Sequence, residues 1–210
     1  MEGGMTTLAI FATWVTGSCI SAEFLGYWLH RLMHSGAIAF LCRRHMKHHL
    51  AIYGPLHKQR SREYRDATDE SVSIGNIGIE WLAPAVVFLS LAFVVFHFAH
   101  VRWCYQLTYI ATTLSWSFLM FSYLHDAMHV QGVWLERSGW VRRWFTSARR
   151  RYDVHHCAIN DGGLMDKNFG IGLFIFDRAF GTLSETTAGF NLRGFEVAQE
   201  RFQLLLQPRK

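Results

Sequence analysis

Nine of the twelve histidines in this chain fall into four groups: His30 and His34; His45, His48 and His49; His125 and His129; His155 and His156. Residues four apart on an α-helix lie one turn apart on a single face. His30 with His34, His45 with His49, and His125 with His129 can therefore each aim two imidazoles at one point, which is how a chelating pair is built. Imidazole suits iron, copper, nickel and zinc alike, so ligand type does not choose the metal. A single zinc site takes four ligands. Nine imidazoles exceed that need and divide naturally between two coordination spheres.

Apolar helices must position these pairs. Leu8–Leu29, Ile79–Phe98 and Tyr105–Leu124 are mainly apolar stretches, each about 20 residues long, the length an α-helix needs to cross hydrocarbon. Half the residues are hydrophobic (50%), yet 21 are Lys or Arg, so the two kinds are segregated along the chain. Seven basic residues lie between Arg43 and Arg65, twelve from Arg137 onward, and Arg31 ends the first stretch, leaving only Arg102 elsewhere. The positive-inside rule then puts the 35–73 loop and the C-terminal third in the cytoplasm. His30/His34 and His125/His129 end spans one and three on that side, and the other two groups lie in cytoplasmic segments. The expected fold is an all-α integral membrane helical bundle of about three transmembrane helices, with a cytoplasmic histidine-rich cap, forming one domain over residues 1–210. Residues 1–7 hold no Lys or Arg, so the first apolar stretch reads as a retained helix and not a cleaved signal peptide.

The remaining segments add less. Ser35–Ser73 becomes charged around Arg60–Glu70 and reads as short helices and loop. After Gly162-Gly163, the apolar crowd Phe169, Ile171, Leu173, Phe174, Ile175, Phe176 and Phe180 reads as a helix or loop against the membrane. Cys19, Cys42, Cys104 and Cys157 show no paired spacing and read as reduced thiols. The net charge of +5 comes without a recognisable nucleic-acid-binding module, so nucleic acid is not an expected partner. No dinucleotide fingerprint, P-loop or serine elbow is present. His97 and His100 lie about 30 Å from the clusters, across a bilayer. His57 is close enough in sequence to serve as a reserve ligand. Glu23 sits seven residues before His30 within an apolar helix, where a charge is a functional candidate. Glu80, at the head of span two, reads as an exposed boundary carboxylate.

The order His30-Arg-Leu-Met-His34, His45-Met-Lys-His48-His49, His125-Asp-Ala-Met-His129 and His155-His156, followed by Asn168-Phe-Gly170 and Asp177-Arg-Ala-Phe-Gly-Thr182, resembles the fatty acid hydroxylase and sterol desaturase superfamily. Carotenoid hydroxylases are a close branch. The resemblance implies a membrane enzyme whose nine histidines hold two irons. It also implies that dioxygen and an external donor, ferredoxin- or cytochrome-type with its reductase, are used to hydroxylate or desaturate a fatty acyl chain, sterol or sphingolipid. Carotenoid rings are an alternative substrate. A membrane metal-binding or transport protein is the alternative of another class.

One departure stands out: where the last box of that superfamily reads His-x-x-His-His, this chain has Tyr152-Asp153-Val154-His155-His156. Tyr152 as phenolate, Asp153, His57 or a water can take the missing place. Asp126 and Asp153 neighbour the histidines and can accept a ring N–H, fixing the imidazole's orientation.

Overall fold

The computed structural model describes residues 2–65, 73–74, 77–137, 139–186 and 189–206. Residues 66–70 of the charged Arg60–Glu70 stretch, and the basic Arg209 and Lys210, lie outside them. Helix α1 (Glu2–Met33) is followed by α2 (Ala39–Lys47), which widens into a π-helical turn, His48–Ile52. Two-residue strands β1 (Ser73–Ile74) and β2 (Ile77–Gly78) pair antiparallel and lead into α3 (Ile79–Phe98). Helix α4 (Trp103–Phe118) continues through a second π-helical segment, Leu119–Leu124, into α5 (His125–Met128). Helices α6 (Gly139–Cys157), α7 (Ile175–Ala179) and α8 (Leu192–Leu206) complete the described chain.

Among the described residues two helices are long and apolar enough to cross a membrane, Thr7–Met33 within α1 and Ile79–Phe98. A core helix of a water-soluble protein would bury such residues. Here Val87, Leu91 and Val95, at four-residue spacing, are 59%, 62% and 62% exposed, and a helix apolar on all sides with an open face suits lipid contact. The third expected span is interrupted. Helix α4 ends after 16 residues, short of a crossing, and its path continues only by widening into the π segment.

α1 packs along α4. At Gly26 α1 meets the π-helical continuation of α4 so closely that a Cβ would lie 1.8 Å from the Phe121 ring. Trp14 stacks on Tyr105 with ring centroids 5.7 Å apart. The buried Glu23 accepts the indole N–H of Trp116 at 2.9 Å, so this carboxylate joins two helices. Glu80 is buried, not exposed as its boundary position implied. It faces Arg44 of α2 at 3.4 Å, and the pair lies so near the backbone that Gly78 has no room for a Cβ.

Beyond the long helices, α6 buries one face, Phe145, Ala148, Arg149 and Tyr152 together with His155 and His156, the i, i+3/i+4, i+7 pattern of an amphipathic helix. Phe195, Ala198 and Phe202 of α8 repeat that spacing and pack on Cys42 and Met46 of α2. The apolar segment 169–180 divides. Phe169, Ile171 and Phe174 enter the core, while Leu173, Ile175 and Phe180 stay exposed, Phe180 against Tyr27 and Trp28 of α1. The four cysteines are free.

Candidate metal centre

All nine histidines of the four sequence groups meet at one end of the bundle, and eight of them are buried, His125 being the partly exposed one. Their ligand atoms form overlapping sets, each within 4.8 Å: His30, His34, His45, His49 and His155; His48, His125 and His129; and His48, His49 and His156. His34 Nε2 lies 3.0 Å from His155 Nε2 and 2.9 Å from His45 Nε2. Nitrogens bound to one metal at about 2.0–2.1 Å stand about 3.0–3.4 Å apart, so this spacing fits a shared cation. Nε2 of His30, His48 and His156, and both ring nitrogens of His49, are buried with no hydrogen-bond partner among the described residues. Orphaned buried polar atoms are costly. A cation among them would satisfy these lone pairs, so the donor set fits a metal.

The sequence spacing explains the division. Pairs four apart, His30/His34, His45/His49 and His125/His129, each fall within one set, as their shared helix face requires. Adjacent residues on a helix point about 100° apart, which favours separate sets, although His48 and His49 also share the third set with His156. His155 accordingly joins the first set and His156 the other, and His48 is absent from the first set, to which His49 belongs. His49 and His156 stack with centroids 4.0 Å apart, where the sets meet. The two His-His dipeptides thus make the centre double.

Backbone carbonyls hold the rings. The Nδ1–H groups of His30 and His155 donate to the carbonyls of Phe169 and Lys167, each at 2.6 Å. Those of His129 and His156 donate to Gln59 and Tyr53, each at 3.0 Å. This fixes the tautomer that leaves the Nε2 lone pair facing inward. Asn168, between two of these carbonyls, adopts a left-handed φ of 55° and is held by hydrogen bonds to Arg151 and Ser184. Asp177, fully buried, accepts the N–H groups of Phe169 and Gly170 at 2.6 Å each and the Thr182 hydroxyl at 2.8 Å. The Asn168–Gly170 and Asp177–Thr182 motifs therefore build one cradle that aims His30 and His155.

Burial holds His34, His45, His48, His49, His129 and His156 well below the ordinary imidazole range, and neighbouring imidazoles add to the effect. His155 is pushed down to about 4 by burial. Neutral imidazoles are the metal-binding form. A cavity of about 130 Å³ adjoins this cluster between α1, α3 and α4; His45, His48 and His125 line it together with Leu29, Ala85 and Phe118.

Residues 15–182 match the fatty acid hydroxylase family model. The chain belongs to the fatty acid hydroxylase family. No curated protein and no solved structure matches it. Family membership points to an oxidoreductase of the lipid hydroxylase type on membrane helices, and the matched region includes all nine clustered histidines, leaving α8 beyond it.

The supporting residues of this family member take different places from one another. Asp126 accepts from His125 Nδ1 at 3.2 Å, the role its position implied. Asp153 instead pairs with Arg60 at 2.5 Å, because the 53–65 segment folds over the cluster and brings that guanidinium to it. Burial raises the Asp153 carboxyl, with Arg60 opposing. His57 is exposed and in none of the sets, so it is no reserve ligand; His97 and His100 are exposed at the α3–α4 turn. Tyr152 is buried with its hydroxyl 3.2 Å from His129 Nε2, and burial pushes its phenol well above the ordinary tyrosine range. Sequence reasoning missed Tyr53, whose carbonyl anchors His156 and whose ring stacks on His129 at 3.9 Å. It also missed Arg149, which clamps the carbonyls of Ala127 and Val130 and pairs with Glu136.

Proposed function

We propose that this chain is a membrane-bound di-iron oxygenase that hydroxylates or desaturates a lipid, such as a fatty acyl chain, sterol or sphingolipid. Dioxygen is its co-substrate, and an external ferredoxin- or cytochrome-type donor with its reductase provides electrons. The observation that carries the reading is the doubled cluster of neutral imidazoles, three of which line a mainly apolar cavity. His30, His34, His45, His49 and His155 would hold one iron and His48, His125, His129 and His156 the other. Bound there, the irons supply the oxidising power toward a C–H bond that no side chain has.

The chain's own residues do the positioning. Carbonyl anchors keep the Nε2 lone pairs turned inward, so binding needs no ring rotation. Leu29, Ala85 and Phe118 accept lipid carbons and exclude water from the path to His45, His48 and His125. In this reading α1, α3 and the α4–α5 run cross the bilayer, and the basic segments around the histidines put the centre and the C-terminus on the cytoplasmic side. A metal transporter would need polar ligands near the bilayer midplane; the imidazoles here gather at one end, and Glu23 is engaged by Trp116.

The test is elemental mass spectrometry of protein purified from iron-replete cells, followed by incubation with lipids, a reductase system and isotope-labelled dioxygen. About two irons per chain and an oxidised lipid product are expected. One zinc, or no metal, overturns the reading.

A further inference from the structure

The two sets of imidazoles are unequal: five rings share the first, whereas His48, His125 and His129 form a set of three, with the His156 ring 5.2 and 4.8 Å from those of His48 and His129. Beside that smaller set stands Tyr152. Its side chain projects from α6 one turn before His156, and its ring centroid lies 5.5, 5.2 and 4.8 Å from those of His125, His129 and His156.

His129 gives its Nδ1 proton to the Gln59 carbonyl, so its Nε2 presents a lone pair, and that lone pair faces the Tyr152 oxygen at 3.2 Å. A hydroxyl donating to this nitrogen would account for the contact in metal-free protein. Once His129 Nε2 binds a cation its lone pair is used, and the phenol loses that acceptor. Two donor atoms 3.2 Å apart stand at the separation of neighbouring ligands on one metal, about 3.0–3.4 Å.

We propose that Tyr152 is a metal ligand, binding the metal of the His48, His125, His129 and His156 set through its phenolate oxygen. The inference rests on the di-iron reading. On binding, the phenol O–H bond breaks, its proton passes to solvent and an oxygen–metal bond forms; no electron is transferred. An anionic oxygen favours the ferric over the ferrous state more than an imidazole does, so the two metal positions become electronically different.

The test needs no turnover. Protein loaded with iron and oxidised in air is examined by visible absorption and resonance Raman spectroscopy, with iron content measured on the same samples. The expected result is a visible phenolate-to-iron(III) charge-transfer band that enhances tyrosine ring vibrations, shifts those vibrations with ring-deuterated tyrosine, and is lost in Tyr152→Phe. Tyr152→His should bind iron to the wild-type level without the band. Two irons in wild-type protein with no such band overturns the inference and leaves the di-iron reading standing. A band that survives in Tyr152→Phe assigns the phenolate to another tyrosine and also overturns it. Failure of wild-type protein to bind iron sinks both readings together.

Discussion

Acid should open the metal-free histidine cap over a narrow range. Burial keeps His34, His45, His48, His49, His129, His155 and His156 neutral in the folded chain, whereas in the unfolded chain each titrates near 6.5. A folded pKa below the unfolded one means that the folded state binds fewer protons, so stability rises with pH. This contribution is nearly complete above about pH 7 and is lost as pH falls through 6.5 toward the folded values, about 4 for His155. At about pH 5.5 each group has lost on the order of 1 kcal/mol. The seven together reach on the order of 10 kcal/mol, comparable with the whole stability of a domain at about 5–15 kcal/mol. Cys42, free and fully buried between α2 and α8, reports the opening. With the other three cysteines replaced by serine, its reaction with a dipyridyl disulfide, which works in acid, should appear between about pH 6.5 and 5.5. Bound metal should move the transition to lower pH by holding the imidazoles deprotonated. A metal-free cap that keeps Cys42 protected down to about pH 4.5 would refute this reasoning.

Other consequences can be checked in parallel. His49→Ala and His129→Ala should each lower metal content per chain, while His97→Ala should leave it unchanged; elemental analysis of the three variants decides. Asp177→Ala removes the acceptor of two buried N–H groups, each costing about 1–3 kcal/mol when orphaned, and should lower the thermal midpoint more than Asp177→Asn does. Arg149→Met abandons Glu136 and two carbonyls at a cost of about 3 kcal/mol, measurable by denaturant unfolding in micelles. Gly26→Leu must displace Phe121, which lines the cavity; lipid binding should weaken while metal content stays at the wild-type level.

The centre was legible in sequence because chelating pairs depend on local geometry alone. His30/His34 and His125/His129 needed only helical spacing to be joined, and Asp126 only adjacency to His125. Where a partner comes from far along the chain, no local pattern marks it. Arg60 claims Asp153 across the fold, and Arg44 draws Glu80 inward. The two π segments, His48–Ile52 and Leu119–Leu124, follow no residue pattern that helical periodicity reads, which is why the sequence shows the third span as unbroken although the structure interrupts it. α8 did carry a signal, in the spacing of Phe195, Ala198 and Phe202. It was lost in a C-terminal third read chiefly for charge.

The carbonyls of Tyr53, Gln59, Lys167 and Phe169 that orient four of the rings lie in segments between helices. A carbonyl belongs to every residue, so replacing the side chain at Gln59 or Lys167 leaves the acceptor in place. An inserted or deleted residue does not, because it shifts the carbonyl along and around the chain. Residue type at Lys167 should therefore matter less than the length of its connection, whereas Gln59 is also held to type because its amide donates to the Tyr53 and Gly54 carbonyls. A change of length between Cys157 and Phe169 should therefore disturb the aim of His30 and His155 more than a change of residue type at Lys167 does.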